Sequence, residues 1–132
     1  MTVVVDSSVV VAALLGDGPV GQWAEALLVS GPLAAPHLMP VEAANVLRRC
    51  ALAGEISADV ASLAHADLVS LPVELFPYTV CAGRVWELRA NITAYDAWYV
   101  ALAETLNARL ATLDLRLGRA TGTRCELALP PA

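Results

Sequence analysis

The chain alternates short β-branched apolar runs with longer stretches whose apolar residues recur at helical spacing. Thr2-Val3-Val4-Val5 is uncharged and too short for a helix, so residues 2–6 predict a buried strand that Asp6 closes. Ser7 to Leu15 predicts a helix, capped by Ser7 or Ser8 and stopped at Gly16. Asp17-Gly18-Pro19 reads as a turn. A second helix is predicted over 20–29, with Val20, Trp23, Ala24, Leu27 and Leu28 on one face, and Ser30-Gly31-Pro32 ends it.

The cycle then repeats. Leu33-Ala34-Ala35 predicts a strand before Pro36, and Pro40 suits the first turn of a helix running to Ala53, with Gly54 as its stop. Val41, Ala44, Val46 and Leu47 form its expected buried side, with Arg48 and Arg49 outward. Ser57 caps the next helix, whose stripe is Val60, Leu63, Ala64, Leu68 and Leu71. Val73 to Phe76 predicts a strand, and 79–89 a helix. Thr93 begins the clearest helix, Ala94 to Leu106, with Trp98, Ala101, Leu102 and Thr105 at helical spacing. Arg109 to Leu113 is a strand, Asp114 opens a short helix to Ala120, and Arg124 to Leu129 is a final strand. This order predicts an α/β fold, a three-layer α/β/α sandwich with a mostly parallel central sheet. No linker or repeat divides it, so residues 1–129 read as a single domain and 130–132 as a frayed tail.

Composition adds three constraints. Aliphatic residues, Met, Phe, Trp, Cys and Gly together make up about 62% of the chain, against ~45–50% in ordinary soluble domains. Such an excess calls for a covering partner, either a second copy or a bound peptide. No apolar run reaches the ~18–20 residues of a membrane span, and no basic residue precedes the first one as in a signal peptide. Cys50, Cys81 and Cys125 are far apart, which fits a reducing cytoplasm and no zinc site.

Charge sharpens the question. The net charge is −5, and all 8 basic residues are Arg. A negative chain is a poor general binder of nucleic acid unless the charge is local and neutralised. Without Lys, Schiff-base and Walker-type chemistry are excluded.

Four acids stand at junctions between elements. Asp6 and Asp114 end apolar strands, and Glu42 and Asp96 sit in first helical turns. Each has a structural reading: Asp6 and Asp114 as caps, Asp96 in a capping box with Thr93, Glu42 as partner of a helix dipole. Together they have another. Strand ends and returning helix starts share one edge of a parallel sheet, and four carboxylates that close need cations. With no Cys or His among them, Mg²⁺ or Mn²⁺ suits the oxygen set better than zinc.

Four segments carry a resemblance: Val4-Val5-Asp6-Ser7-Ser8, the stretch Pro40 to Leu47, the stretch Thr93 to Ala103, and Ala111-Thr112-Leu113-Asp114. In this order and at these separations, the chain resembles PIN-domain ribonucleases of the VapC toxin type. The resemblance implies metal ligands at Asp6, Asp96, Glu42 and Asp114, which would also be the catalytic acids. It implies orienting roles for Ser7 and Thr112, and a place for Asn91 in the polar rim. It further implies Mg²⁺-dependent hydrolysis of RNA, a cognate antitoxin, a homodimer, and no role for DNA as substrate. The absence of Lys departs from the pattern and leaves the substrate to Arg.

Arg116, Arg119 and Arg84 are the candidate phosphate contacts, with ordinary surface charge as the competing reading. Trp86, Trp98 and Tyr95 are candidates for base stacking, or for the core and a dimer interface. His37 and His65 have no metal spacing and receive no role. Helices 20–29 and 37–53 are expected to wall an antitoxin groove. The other functions that fit are a housekeeping RNA-maturation nuclease and a catalytically silent binding module.

Overall fold

A computed structural model of the chain describes residues 1–131; Pro130 and Pro131 carry no regular structure, and Ala132, the end of the expected tail, lies outside the described residues. Five strands form the sheet: β1 (Val3–Val5), β2 (Leu33–Pro36), β3 (Val73–Phe76), β4 (Arg109–Ala111) and β5 (Leu127–Ala128). Their order is β3-β2-β1-β4-β5, and every pairing is parallel. The sheet is thus wholly parallel rather than mostly so. β1 is central and completely buried, which explains its unbroken valines: a strand covered on both faces has no reason to alternate.

The helices are α1 (Ser7–Leu15), α2 (Gly18–Leu28), α3 (Met39–Leu52), α4 (Ala58–Ser70), α5 (Ala82–Glu87) and α6 (Ala94–Leu106). α1 packs against α2, α3 and α4, while α5 packs on α6, which lies along β1, β2 and β4. Right-handed crossovers place α1 to α4 on one face of the sheet and α5 with α6 on the other. The core joins these layers through Val4, Val9, Val10, Met39, Leu88, Val100, Leu102 and Leu110, all essentially inaccessible. Each such side chain contributes on the order of 1.5–3 kcal/mol by leaving water.

Several boundaries differ from the sequence reading. α2 starts at Gly18, because Asp17 takes the cap position and Pro19 fits the first turn. The helix expected over 79–89 breaks into a 3₁₀ turn, Tyr78–Val80, and α5. Cys81, at φ −109° and ψ −4°, interrupts the helical geometry between them. β4 stops at Ala111, since the Leu113 N–H leaves the ladder for the Ser8 hydroxyl. The final strand shrinks to two residues.

The buried face of α3 is Met39, Ala43 and Leu47, so Val41 turns outward with 66% of its surface exposed. On α4 only Ala64 and Leu68 are buried, and Leu63 is 69% exposed. These misses share a cause: the chain has more apolar helix positions than two sheet faces can cover.

One contact ties the second layer. Arg84 on α5 donates to Glu104 on α6 at 2.7 Å and to the Gly122 carbonyl at 2.6 Å. The Arg124 N–H also donates to Glu104, at 2.8 Å. Burial pushes the Glu104 carboxyl up, but Arg84 and the Arg124 backbone outweigh it and hold it below the ordinary carboxylate value.

Two predictions follow from this packing. A Cβ at Gly21 would lie 2.8 Å from the Gly16 carbonyl carbon, whereas one at Gly83 meets nothing within 4 Å. Gly21→Ala should therefore cost about 1–3 kcal/mol in urea unfolding, and Gly83→Ala should be neutral or stabilising. For Glu104 the folded value is depressed, so its contribution is present at neutral pH and fades as pH falls through that value. Glu104→Gln should lose about 1–3 kcal/mol at pH 7, with the gap to the parent closing in acid melts below about pH 4.

Candidate active site

Strand order locates the site. From β1 the chain crosses to β2 on one side, while β4 pairs on the other, so the order reverses between β1 and β4. Ligand crevices in parallel sheets open at the carboxyl ends of strands at such a switch point. Val5 pairs with Ala111, and the Asp6 N–H donates to the Ala111 carbonyl at 3.0 Å. Residues 106 positions apart thereby share one edge: the Thr112 hydroxyl donates to Asp6 Oδ2 at 2.8 Å.

Asp6 occupies the cap position of α1, yet its carboxylate makes no cap bond. It is held from the side instead. Ser8 donates to Oδ2 at 2.9 Å, and Ser7 approaches Oδ1 at 3.3 Å. The expectation that Ser7 or Ser8 caps α1 is corrected: both hydroxyls act as donors to a stronger acceptor, the carboxylate. Ser8 also accepts from the Leu113 N–H at 3.2 Å, and Thr112 from the Asp114 N–H at 3.0 Å. Thr112, the expected orienting residue, is fully buried. Ser8 joins it, a role the sequence reading missed.

The helix-borne acids arrive from both layers. Glu42 lies in the first turn of α3, directly after β2. α6 leads back into β4, so its first turn, with Asp96, stands at the same carboxyl edge. The Thr93 hydroxyl caps α6 by accepting from the Asp96 N–H at 3.2 Å. Tyr99, one turn further along α6, donates its hydroxyl to Glu42 Oε1 at 2.6 Å. This residue was also missed; its signal is the i,i+3 spacing from Asp96, which puts both on one helix face.

The acids feel one another. Burial raises the Glu42 carboxyl above its ordinary value, the charges of Asp6 and Asp96 add to the rise, and the Tyr99 bond opposes it. Burial likewise raises Asp96, helped by Asp114 and Asp6 and opposed by Arg116 and Thr93. All four carboxylates are therefore electrostatic neighbours. They are not a closed shell, however: among the described residues no three His, Cys, Asp or Glu side chains stand ready to grip one ion. Tyr99 engages Glu42 and Arg116 engages Asp114 instead.

Asp114 is the exception in charge. Its Oδ1 accepts from the Arg116 N–H and Nε, each at 3.0 Å, and its Oδ2 accepts from Nη2 at 2.7 Å. It thus also caps the 3₁₀ turn Leu115–Arg119, as its structural reading had it. Arg116 holds the Asp114 carboxyl below its ordinary value. An open cleft of about 570 Å³ beside this pair is lined by Arg89, Asn91, Asp96, Asp114, Arg116 and Arg119.

Arg84 is not in the cleft. Its guanidinium is committed to Glu104 and Gly122, which corrects its expected place among substrate contacts. Arg89, which also lines the cleft, lies 4.7 Å from the centroid of the exposed Trp86 ring. Trp98 packs edge-on against Tyr78, and its Nε1 is buried with no partner among the described residues. Asn91 donates to the Thr121 carbonyl at 2.9 Å on the cleft rim.

Known proteins resemble this chain in sequence and fold. Residues 3–122 match the PIN domain family. The ribonuclease VapC9 of Mycobacterium tuberculosis is 41% identical over 129 residues, 98% of either chain. The crystal structure of VapBC2 from Rickettsia felis, bound to a promoter DNA fragment, superposes with a TM-score of 0.70 at 16% identity, over 99% of this chain and 100% of that one. VapC20 of Mycobacterium tuberculosis, a toxin that cleaves the sarcin–ricin loop, superposes at 0.68 and 18% identity, over 92% and 96%. Domain match, full-length identity and shared fold agree with the carboxylate edge: this chain belongs to the PIN-domain family of VapC ribonucleases.

Proposed function

We propose that this chain is a metal-dependent endoribonuclease that hydrolyses RNA phosphodiesters and acts as the toxin of a toxin–antitoxin pair. The observation that carries the reading is Asp6 at the switch point, clamped by two hydroxyls and felt by both Glu42 and Asp96. Relatives named as ribonucleases along the whole chain support it.

The residues present fit Mg²⁺, with Mn²⁺ as substitute. The donor set is carboxylate oxygen alone, and its members raise one another's affinity for positive charge. Asp6, Asp96, Glu42 and Asp114 would hold the ion. When bound, it supplies a Lewis acid that acidifies water and offsets charge at phosphorus. The chain's own residues do the rest. Ser8 and Thr112 fix the Asp6 oxygens, and Tyr99 fixes those of Glu42. The cleft arginines Arg89, Arg116 and Arg119 draw in the phosphate backbone, with no DNA expected as substrate. Hydrolysis by water leaves a 5′ phosphate and a 3′ hydroxyl.

The antitoxin and a second copy of the chain account for the uncovered apolar surface. Val41, Leu52, Leu63 and Val69 stand exposed on α3 and α4. A shallow cleft between those helices is lined by Ala44, Leu47, Arg48, Ala61, Ser62 and His65. That cleft adds α4 to α3 and the helix at 20–29 as a candidate groove wall. A cytoplasmic setting accords with the free thiols and with RNA as substrate.

Asp6→Asn should abolish Mg²⁺-dependent cleavage of labelled RNA. Thr112→Val and Tyr99→Phe should each lower it by about 10–100-fold, because they loosen the ligands without removing them. A 2′,3′-cyclic phosphate on the products, or an Asp6→Asn protein as active as its parent, would contradict the mechanism.

A further inference from the structure

Of the four acids, Asp114 is the one whose charge the chain neutralises itself. Asp6 is held by hydroxyls and Glu42 by a phenol, all neutral donors that leave the carboxylate charge in place. Asp114 instead receives a guanidinium on both oxygens. That grip is two-pronged but shallow: the Arg116 side chain is 84% exposed, against 25% for Asp114. Arg116 reaches back only two residues, so it needs no distant element to hold it and none to release it. Its guanidinium also lines the cleft with Arg89 and Arg119, where a phosphate would lie.

We infer that Arg116 is a displaceable internal cation that covers Asp114 until a divalent ion takes its place. The inference rests on the metal-dependent reading above. Arg116 is a positioning residue here, acting on the metal through Asp114. The Asp114 oxygens it occupies are lone-pair sites that an incoming ion needs, so ion and guanidinium compete for them. Once displaced, Arg116 stays within the cleft and can turn to a phosphate of the RNA. Loading of ion and substrate would then favour each other, since each offers a home to a charge the other sets free. The Asp114 N–H donates to the Thr112 hydroxyl and the Arg116 N–H to Asp114 Oδ1, bonds in which the guanidinium takes no part, so the turn keeps its cap while the guanidinium moves.

The test is Mn²⁺ affinity, read by electron paramagnetic resonance on the full chain without RNA. An exposed ion pair is weakly held and easily displaced, so Arg116→Gln should bind Mn²⁺ about two- to five-fold more tightly. Arg116→Lys, which offers a point charge rather than a fork, should fall between. Most of the gain should vanish in an Asp114→Asn background, because the competition has lost its object. Thermal melts of each variant establish that the fold is intact, as the exposure of Arg116 leads one to expect. Unchanged or weaker binding by Arg116→Gln overturns the inference. So does an undiminished gain in the Asp114→Asn background, which would make Arg116 a general repulsive charge. If neither parent nor variants bind Mn²⁺, the metal reading itself fails and takes the inference with it.

Discussion

Parallel pairing of β1 with β4 is the constraint on which the rest depends. It brings the ends of two strands from opposite ends of the chain to one edge, where Thr112 and Ser8 close on Asp6. A half-buried carboxylate loses water partners, and hydroxyl donors replace them here. The clamp therefore does two jobs. It gives hydrogen-bond donors to a carboxyl group at the top of an all-apolar strand, and it fixes where that group points.

Around that clamp the site is under electrostatic tension. Burial and mutual repulsion push Glu42 and Asp96 upward, while Arg116 opposes the rise at Asp96 and takes Asp114 below its ordinary value. A sheet edge built this way is short of positive charge because of its topology: the acids become electrostatic neighbours because strand ends and returning helices share that edge. The fold's stability elsewhere has to carry this tension. It does so through a nearly all-aliphatic core and through the Arg84–Glu104 tie that joins α5, α6 and the segment near Gly122.

That tie shows how eight arginines divide their work. Arg84 and Arg116 are chemically alike and were both expected to meet substrate. Arg84 has a half-buried acid within reach on a packed helix and becomes structural. Arg116 has an acid within reach on an exposed turn and stays available. Only burial distinguishes them, and burial is a property of the assembled layers.

Local chemistry was legible along the chain. The valine run of β1, the Thr93 and Ser57 caps, the Gly16 stop and the alternation of strands with helices all follow from short-range sterics and hydrogen bonding, and they appear where expected. The four acids could be named because each sits where a local element begins or ends. What the sequence could not express was who faces whom. Tyr99 finds Glu42 across 57 residues, Ser8 turns from capping to holding Asp6, Val41 faces outward, and the helix at 79–89 breaks at Cys81. These depend on side-chain direction and layer packing, which emerge only when distant segments are brought together. Sequence by itself determined the elements and the acids they carry; tertiary structure decided which oxygens share a pocket, because through-space distance is not encoded in any one stretch of chain.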